Sequence, residues 1–266
     1  MKLAARLDRI DPFYVMECAK AAVELARSPA CADSRMIFLN IGEPDFTAPA
    51  PVLEAAQRCM LGGRTHYTQA TGEPRLRECI SRWYAERFGL DVPAQRIVVT
   101  AGASAALQLA CLALVERGDE VLMPDPSYPC NRHFVAAADG VPVLLPASAA
   151  QRFQLDAAGV EAAWTARTAG VLLASPSNPT GTSIAPGEMG RIVQAVRARG
   201  GFTIVDEIYL ALSFDDAFGH SALAHAVQGD VISINSFSKY FCMTGWRLGW
   251  MVVPEVLVAP IERLAQ

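Results

Sequence analysis

Seven short apolar runs, each bounded by turn-forming residues, set the limits on what this 266-residue chain can become. They are 97–100, 120–123, 141–145, 170–174, 202–206, 231–235 and 248–253. Helix-like stretches such as Ala103–Arg117, Pro129–Ala138 and Pro186–Arg199 lie between them. A strand that is apolar along its whole length must be covered on both faces. Such strands, alternating with helices, predict a three-layer α/β/α domain around a mainly parallel seven-stranded sheet. Residues 1–40 read differently. Pro12-Phe13-Tyr14-Val15-Met16 leads into a helix over Glu17–Arg27, which ends before Ser28-Pro29. This segment is expected to be an N-terminal arm and helix outside the main sheet, with the large domain running over 41–266.

In mainly parallel sheets ligands sit at the carboxyl ends of strands. The chemically capable residues fall at those ends: Ser104, Tyr128, Asn178, Asp206, Tyr209 and Lys239. Lys239 closes Ser236-Phe237-Ser238-Lys239, and Arg247 follows within Met243–Gly249. An amine can form an imine with an aldehyde. Hydroxyls and a guanidinium can hold a phosphate. Pyridoxal 5′-phosphate carries both groups and uses lysine in this way. A surface Lys and Arg beside a turn is the plainer explanation of the same residues. Gly102-Ala103-Ser104 follows a strand and opens an Ala/Leu helix, so its N–H groups and hydroxyl suit either a phosphate or a simple helix cap. Asp206 ends an apolar strand, where a carboxylate is costly without a partner. It suits a protonated pyridine nitrogen, or a structural salt bridge. Tyr209 and Asn178 are candidate donors to a phenolic oxygen, or ordinary buried and turn residues. Tyr128, in the rigid Pro124–Pro129 segment, can stack on a ring or fill core.

Composition excludes several other classes. A net charge of −4 gives no electrostatic reason to expect nucleic acid or an anionic membrane as partner. The four histidines show no metal-ligand spacing. The seven cysteines are scattered singly, and no secretory signal precedes them, so reduced thiols in a cytoplasm are expected. The uncharged span 97–115 contains Thr100, Gly102, Ser104 and Gln108, and it splits into a strand, a turn and a buried helix more readily than it forms a transmembrane segment.

Taken in order, the Asn40–Phe46 loop, Tyr67, Gly102–Leu107, Pro124–Tyr128, Ser175–Gly181, Asp206–Tyr209 and Ser236–Arg247 resemble the class I/II aminotransferases of pyridoxal-phosphate fold type I, the aspartate aminotransferase superfamily. The resemblance runs from about residue 10 to the last residue. It implies that Lys239 bonds covalently to the cofactor and that Asp206 pairs with its ring nitrogen. It implies that Asn178 and Tyr209 contact the phenolic oxygen, and that Tyr128 stacks on the ring. Ser104, Ser236 and Arg247 would hold the phosphate, helped by the N–H groups of Ala103 and Ser104. Gly42 would lie near the substrate carboxylate, with Asn178 also in the substrate site. Tyr67 would reach the phosphate bound in a neighbouring subunit, which implies a homodimer with shared active sites. The implied activity is ping-pong transfer of an amino group between an amino acid and a 2-oxo acid. A lyase or synthase on the same fold, or a cofactor-binding module without turnover, is the alternative. Family members continue into a small C-terminal domain that supplies an arginine for the substrate carboxylate. This chain stops at Gln266, and the expectation is a fragment without that domain.

Overall fold

A computed structural model describes residues 1–31, 35–214, 219–226 and 229–266. Seven strands form one sheet among the described residues: β1 (Ile97–Thr100), β2 (Glu120–Asp125), β3 (Val141–Pro146), β4 (Thr168–Ala174), β5 (Phe202–Asp206), β6 (Val231–Ser236) and β7 (Gly249–Val252). Their order is β1-β7-β6-β5-β4-β2-β3. Pairing is parallel from β3 through β6. Only β7 runs the other way, with Ile97 opposite Val252 on one side and Ser236 opposite Gly249 on the other. Each strand lies within a residue or two of its sequence-predicted position.

The helices are α1 (Tyr14–Ala26), α2 (Ala50–Leu61), α3 (Pro74–Phe88), α4 (Ala103–Leu114), α5 (Cys130–Ala137), α6 (Ala157–Ala163), α7 (Pro186–Arg197) and α8 (Glu255–Ala265). Neighbouring strand residues face opposite ways, so each strand feeds two cores. Leu172, Ile204, Ile232 and Ile234 pack with α4 and α8 on one face. Val171, Leu173, Val205 and Val231 pack with α6 and α7 on the other. A third cluster joins Ile80 and Tyr84 of α3 to Ile97, Trp250 and Val252 at the β1 edge. The three-layer α/β/α expectation is met, and continuous burial of β4 and β6 is its cause.

The first 31 residues contribute no strand to the sheet, and their start is fastened to it through α5. Arg9 donates to Asp139 at 2.9 Å, Arg6 pairs with the same carboxylate at 3.3 Å, and Arg6 also donates to the carbonyl of Ala137 at 3.0 Å. These contacts meet the exposed carbonyls at the end of α5, where cations are favoured. Among the described residues, α1 and α2 have no buried side chain.

Candidate active site

The carboxyl ends of β2, β4, β5 and β6 open onto one cleft of about 880 Å³. Gly42, Ala103, Ser104, Tyr128, Asn178, Asp206, Tyr209 and Lys239 all line it. Parallel strands ending at one edge bring these dispersed residues together.

Asp206 is the last residue of β5. Its side chain is buried, and among the described residues one hydrogen bond reaches it, from the Ile208 N–H at 3.1 Å. Burial raises its carboxyl from 3.8 to about 6. A buried acid with one donor, lining a cleft, is a place for a cation. The next residue contrasts with it. Glu207 turns into the core and accepts from Ser221 Oγ at 2.9 Å, Ala222 N at 2.6 Å and Ser233 Oγ at 2.5 Å. Burial raises Glu207 to about 7, with the nearby Asp206 charge adding to the rise. Tyr84 touches Ser233 at 3.4 Å and accepts from Trp250 Nε1 at 3.2 Å, which extends the network to α3 and β7.

Lys239 follows β6 by three residues. Its ammonium donates to the Gly42 carbonyl and sits 5.9 Å from the Tyr209 ring centroid. Partial burial pulls its pKa below the usual lysine range, against the opposing pull of Glu43 and with some help from Arg247. Tyr209 is raised, chiefly by burial and next by Asp206, while a hydrogen bond from Asn178 works the other way. Burial also raises Tyr128, whose ring meets Phe13 edge-on at 5.8 Å between centroids.

The phosphate-holding candidates gather at the start of α4. Gly102 has φ +86°, and a Cβ there would run into the Arg247 guanidinium. Gly249 is as tightly placed: its Cβ would lie 2.7 Å from the carbonyl carbon of Gly102 and 2.8 Å from the Ala103 nitrogen. The chain is thus cut back where Arg247 and the first N–H groups of α4 converge, an arrangement suited to an anion. Arg247 donates to Thr244 O at 3.0 Å and lies 3.5 Å from Ser238 Oγ. Ser236 is placed less openly. Its buried hydroxyl donates to the Leu248 carbonyl at 3.1 Å and lies 2.9 Å from Ser238 Oγ, and it is not among the residues that line the cleft. Tyr67 is fully exposed and does not line the cleft of its own chain.

Several neighbours carried no sequence signal. Ser127 lines the cleft, buried, with a hydroxyl that has no hydrogen-bond partner among the described residues. Phe13, Val15 and Met16 of the arm also line the cleft, which their place in the sequence does not suggest. Among the described residues no cluster of side chains is arranged to hold a metal ion, and no helix is long and apolar enough to cross a membrane.

The sequence profile of the family described as "Aminotransferase class I and II" matches residues 34–266. The chain belongs to that family. It is 37% identical over 255 residues to the valine–pyruvate aminotransferase of Mycobacterium tuberculosis, covering 96% of this chain and 64% of that one. It is 33% identical to an aspartate aminotransferase of Geobacillus stearothermophilus, covering 100% of this chain and 67% of the relative. The crystal structure of an aminotransferase from Mycobacterium tuberculosis superposes with a TM-score of 0.92 at 37% identity, over 100% of this chain and 67% of that chain. The chain thus spans about two thirds of the length of such relatives. Enzymes of the family depend on pyridoxal 5′-phosphate. The buried, under-partnered Asp206, the Arg247–Gly102 cradle and the half-buried Lys239 amine fit the charges of that cofactor.

Proposed function

We propose that this chain carries the cofactor site of an aminotransferase that moves an amino group between an amino acid and a 2-oxo acid by a ping-pong mechanism. The observation that supports it most is the juxtaposition of the Lys239 amine, the Asn178–Tyr209 pair and the buried Asp206 carboxylate in one cleft. Pyridoxal 5′-phosphate supplies, when bound, an aldehyde and an electron-accepting ring.

The chain's own residues do the rest. Asp206 offers a desolvated negative charge to a ring nitrogen and so favours its protonated form. Asn178 and Tyr209 present hydrogen bonds to an oxygen beside the reacting carbon. Arg247, Ser104 and the α4 N–H groups hold the phosphate, with Ser236 fixing Ser238 and the strand end beneath them. Tyr128 covers one ring face. Burial makes the Lys239 amine easier to deprotonate, and the neutral nitrogen would be able to bond to an aldehyde carbon or to take a proton from the substrate α-carbon. Gly42, whose carbonyl meets that amine, would lie near the substrate carboxylate.

Residues 41–266 form the cofactor-holding domain in this reading, and residues 1–40 belong to a smaller unit. A homodimer is part of the same proposal. It is supported by the unburied α1 and α2 and by Tyr67, which is fully exposed and does not line its own cleft. The deciding experiment incubates the protein with pyridoxal 5′-phosphate, reduces it with borohydride and maps the peptide that gains mass. The addition is expected on Lys239. Addition at other lysines only, or none, overturns the proposal.

A further inference from the structure

The cleft has walls that the proposed chemistry does not use. The arm brings in Phe13, Val15 and Met16, and the following loop brings in Ile41. Leu212 and Phe214, which follow Tyr209, line the cleft as well. Met16, Ile41 and Leu212 leave 44%, 49% and 45% of their surface exposed and Phe214 is fully exposed, so these residues present apolar area to whatever enters. The loop that carries Ile41 lies close to the reacting amine. Lys239 donates to Gly42, the neighbour of Ile41. Asn40 Nδ2 donates to the Val15 carbonyl at 3.3 Å, which ties the arm to the same loop. The Phe13 ring rests edge-on against Tyr128. The Arg6 and Arg9 contacts to Asp139 hold the start of the arm in place.

The charged side chains lining the cleft among the described residues are Asp206, Lys239 and Arg152. The first two are committed to the cofactor. Among the described lining residues, Arg152 is the remaining cation that could read an acidic side chain. It already has an interaction of its own. It also belongs to the loop in which Gln154 is pinned to the Thr182 carbonyl at 2.8 Å, beyond the end of β4. β4 is two strands from β6, about 10 Å at the usual strand spacing.

We infer that the amino acid processed at this site has a bulky apolar side chain, held by the Phe13–Met16 arm with Ile41 and by Leu212 with Phe214. The inference rests on the aminotransferase reading and adds the substrate class to it. The volume of about 880 Å³ lies within the range of ligand pockets and accommodates such a side chain beside a cofactor. Covering a leucine-sized group here is worth a tenfold or larger preference over a charged group of similar length.

The test needs no turnover. The protein loaded with pyridoxal 5′-phosphate is titrated with 4-methylpentanoate, 3-phenylpropanoate and glutarate while the visible absorbance of the cofactor is followed. Half-saturation by the two apolar acids is expected at concentrations at least about tenfold below that of glutarate. Met16→Glu, at an exposed position, is expected to raise the apolar half-saturation at least about fivefold without loss of helix signal. Arg152→Gln is expected to leave the order of the three acids unchanged. Equal binding of all three overturns the inference. So does tighter glutarate binding that Arg152→Gln abolishes, which would make Arg152 the reader of an acidic side chain. If borohydride places the cofactor on Lys239 and the preference is inverted, the substrate class alone is wrong. If no Lys239 adduct forms, the function beneath the inference fails with it.

Discussion

Replacing Asp206 with asparagine separates what the residue costs the fold from what it contributes to a ligand. The side chain is buried, and its carboxyl is raised from 3.8 to about 6. A group whose folded pKa is raised stabilises the fold fully below its unfolded value, and that stability is lost as pH rises through the folded value. For Asp206 the loss runs from about pH 4 to about pH 7 and amounts to about 3 kcal/mol. Asparagine keeps the shape and can still accept from the Ile208 N–H. The cofactor-free variant is therefore expected to match the parent near pH 3.5. At pH 8 it is expected to be more stable by up to about 3 kcal/mol, read as a higher urea midpoint with an unchanged slope. A residual pH dependence remains in the variant from Glu207, raised from 4.5 to about 7. The amide cannot offer a charge to a protonated ring, so pyridoxal 5′-phosphate should bind about 30- to 100-fold more weakly. Urea unfolding across pH and a fluorescence titration with the cofactor read the two effects separately. A variant that is less stable than the parent at pH 8 without cofactor, or that binds cofactor equally well, would refute the assignment of Asp206 as a cation partner.

Three further outcomes follow from the same geometry. Lys239→Ala should still bind pyridoxal 5′-phosphate noncovalently but show no borohydride-stable mass gain, and a gain at the parent level sinks the lysine assignment. Gly102→Ala places a Cβ against the Arg247 guanidinium at φ +86°. It should weaken pyridoxal 5′-phosphate at least about tenfold while leaving pyridoxal, which lacks the phosphate, nearly unaffected; equal losses for both compounds would mean that Arg247 does not hold phosphate. Glu207→Ala strips an acceptor from three buried donors and should cost about 3 kcal/mol or more in urea unfolding, with little change in the cofactor spectrum once bound. A loss below about 1 kcal/mol would show that the network contributes little.

The sheet was legible because burial on both faces writes itself as uninterrupted apolar runs. The 170–174 and 231–235 runs lie within β4 and β6, and both of their faces are core. Helices with little buried surface left no such mark. α3 buries Ile80 and Tyr84 among charged neighbours, and α2 has no buried side chain among the described residues. Neither was named from sequence, because the periodic apolar stripe that announces a helix is weak when few positions face a core. In the site, the strand-end residues could be read because parallel topology alone assigns them to one edge. Phe13 and Met16 could not. They reach the cleft because Arg6 and Arg9 meet the end of α5 some 130 residues away, at |i−j| of 131 and 130. No local pattern encodes a contact of that span.

The pair Asp206-Glu207 shows what the structure adds to the sequence. Two acids joined by one peptide bond are equivalent on any scale of composition. Alternation at the end of β5 sends one to the cleft and the other into the core. Glu207 meets three donors and an extended network through Ser233 and Tyr84, so its oxygens are occupied within the fold even though burial still raises its carboxyl to about 7. Among the described residues Asp206 meets one donor, the Ile208 N–H. A fold keeps a buried carboxylate in that condition at a cost of about 3 kcal/mol near neutral pH. The cost is recovered only when something positively charged occupies the space in front of it. The shortage of partners at Asp206, more than the presence of an aspartate, is what identifies this edge of the sheet as a site rather than a strand terminus.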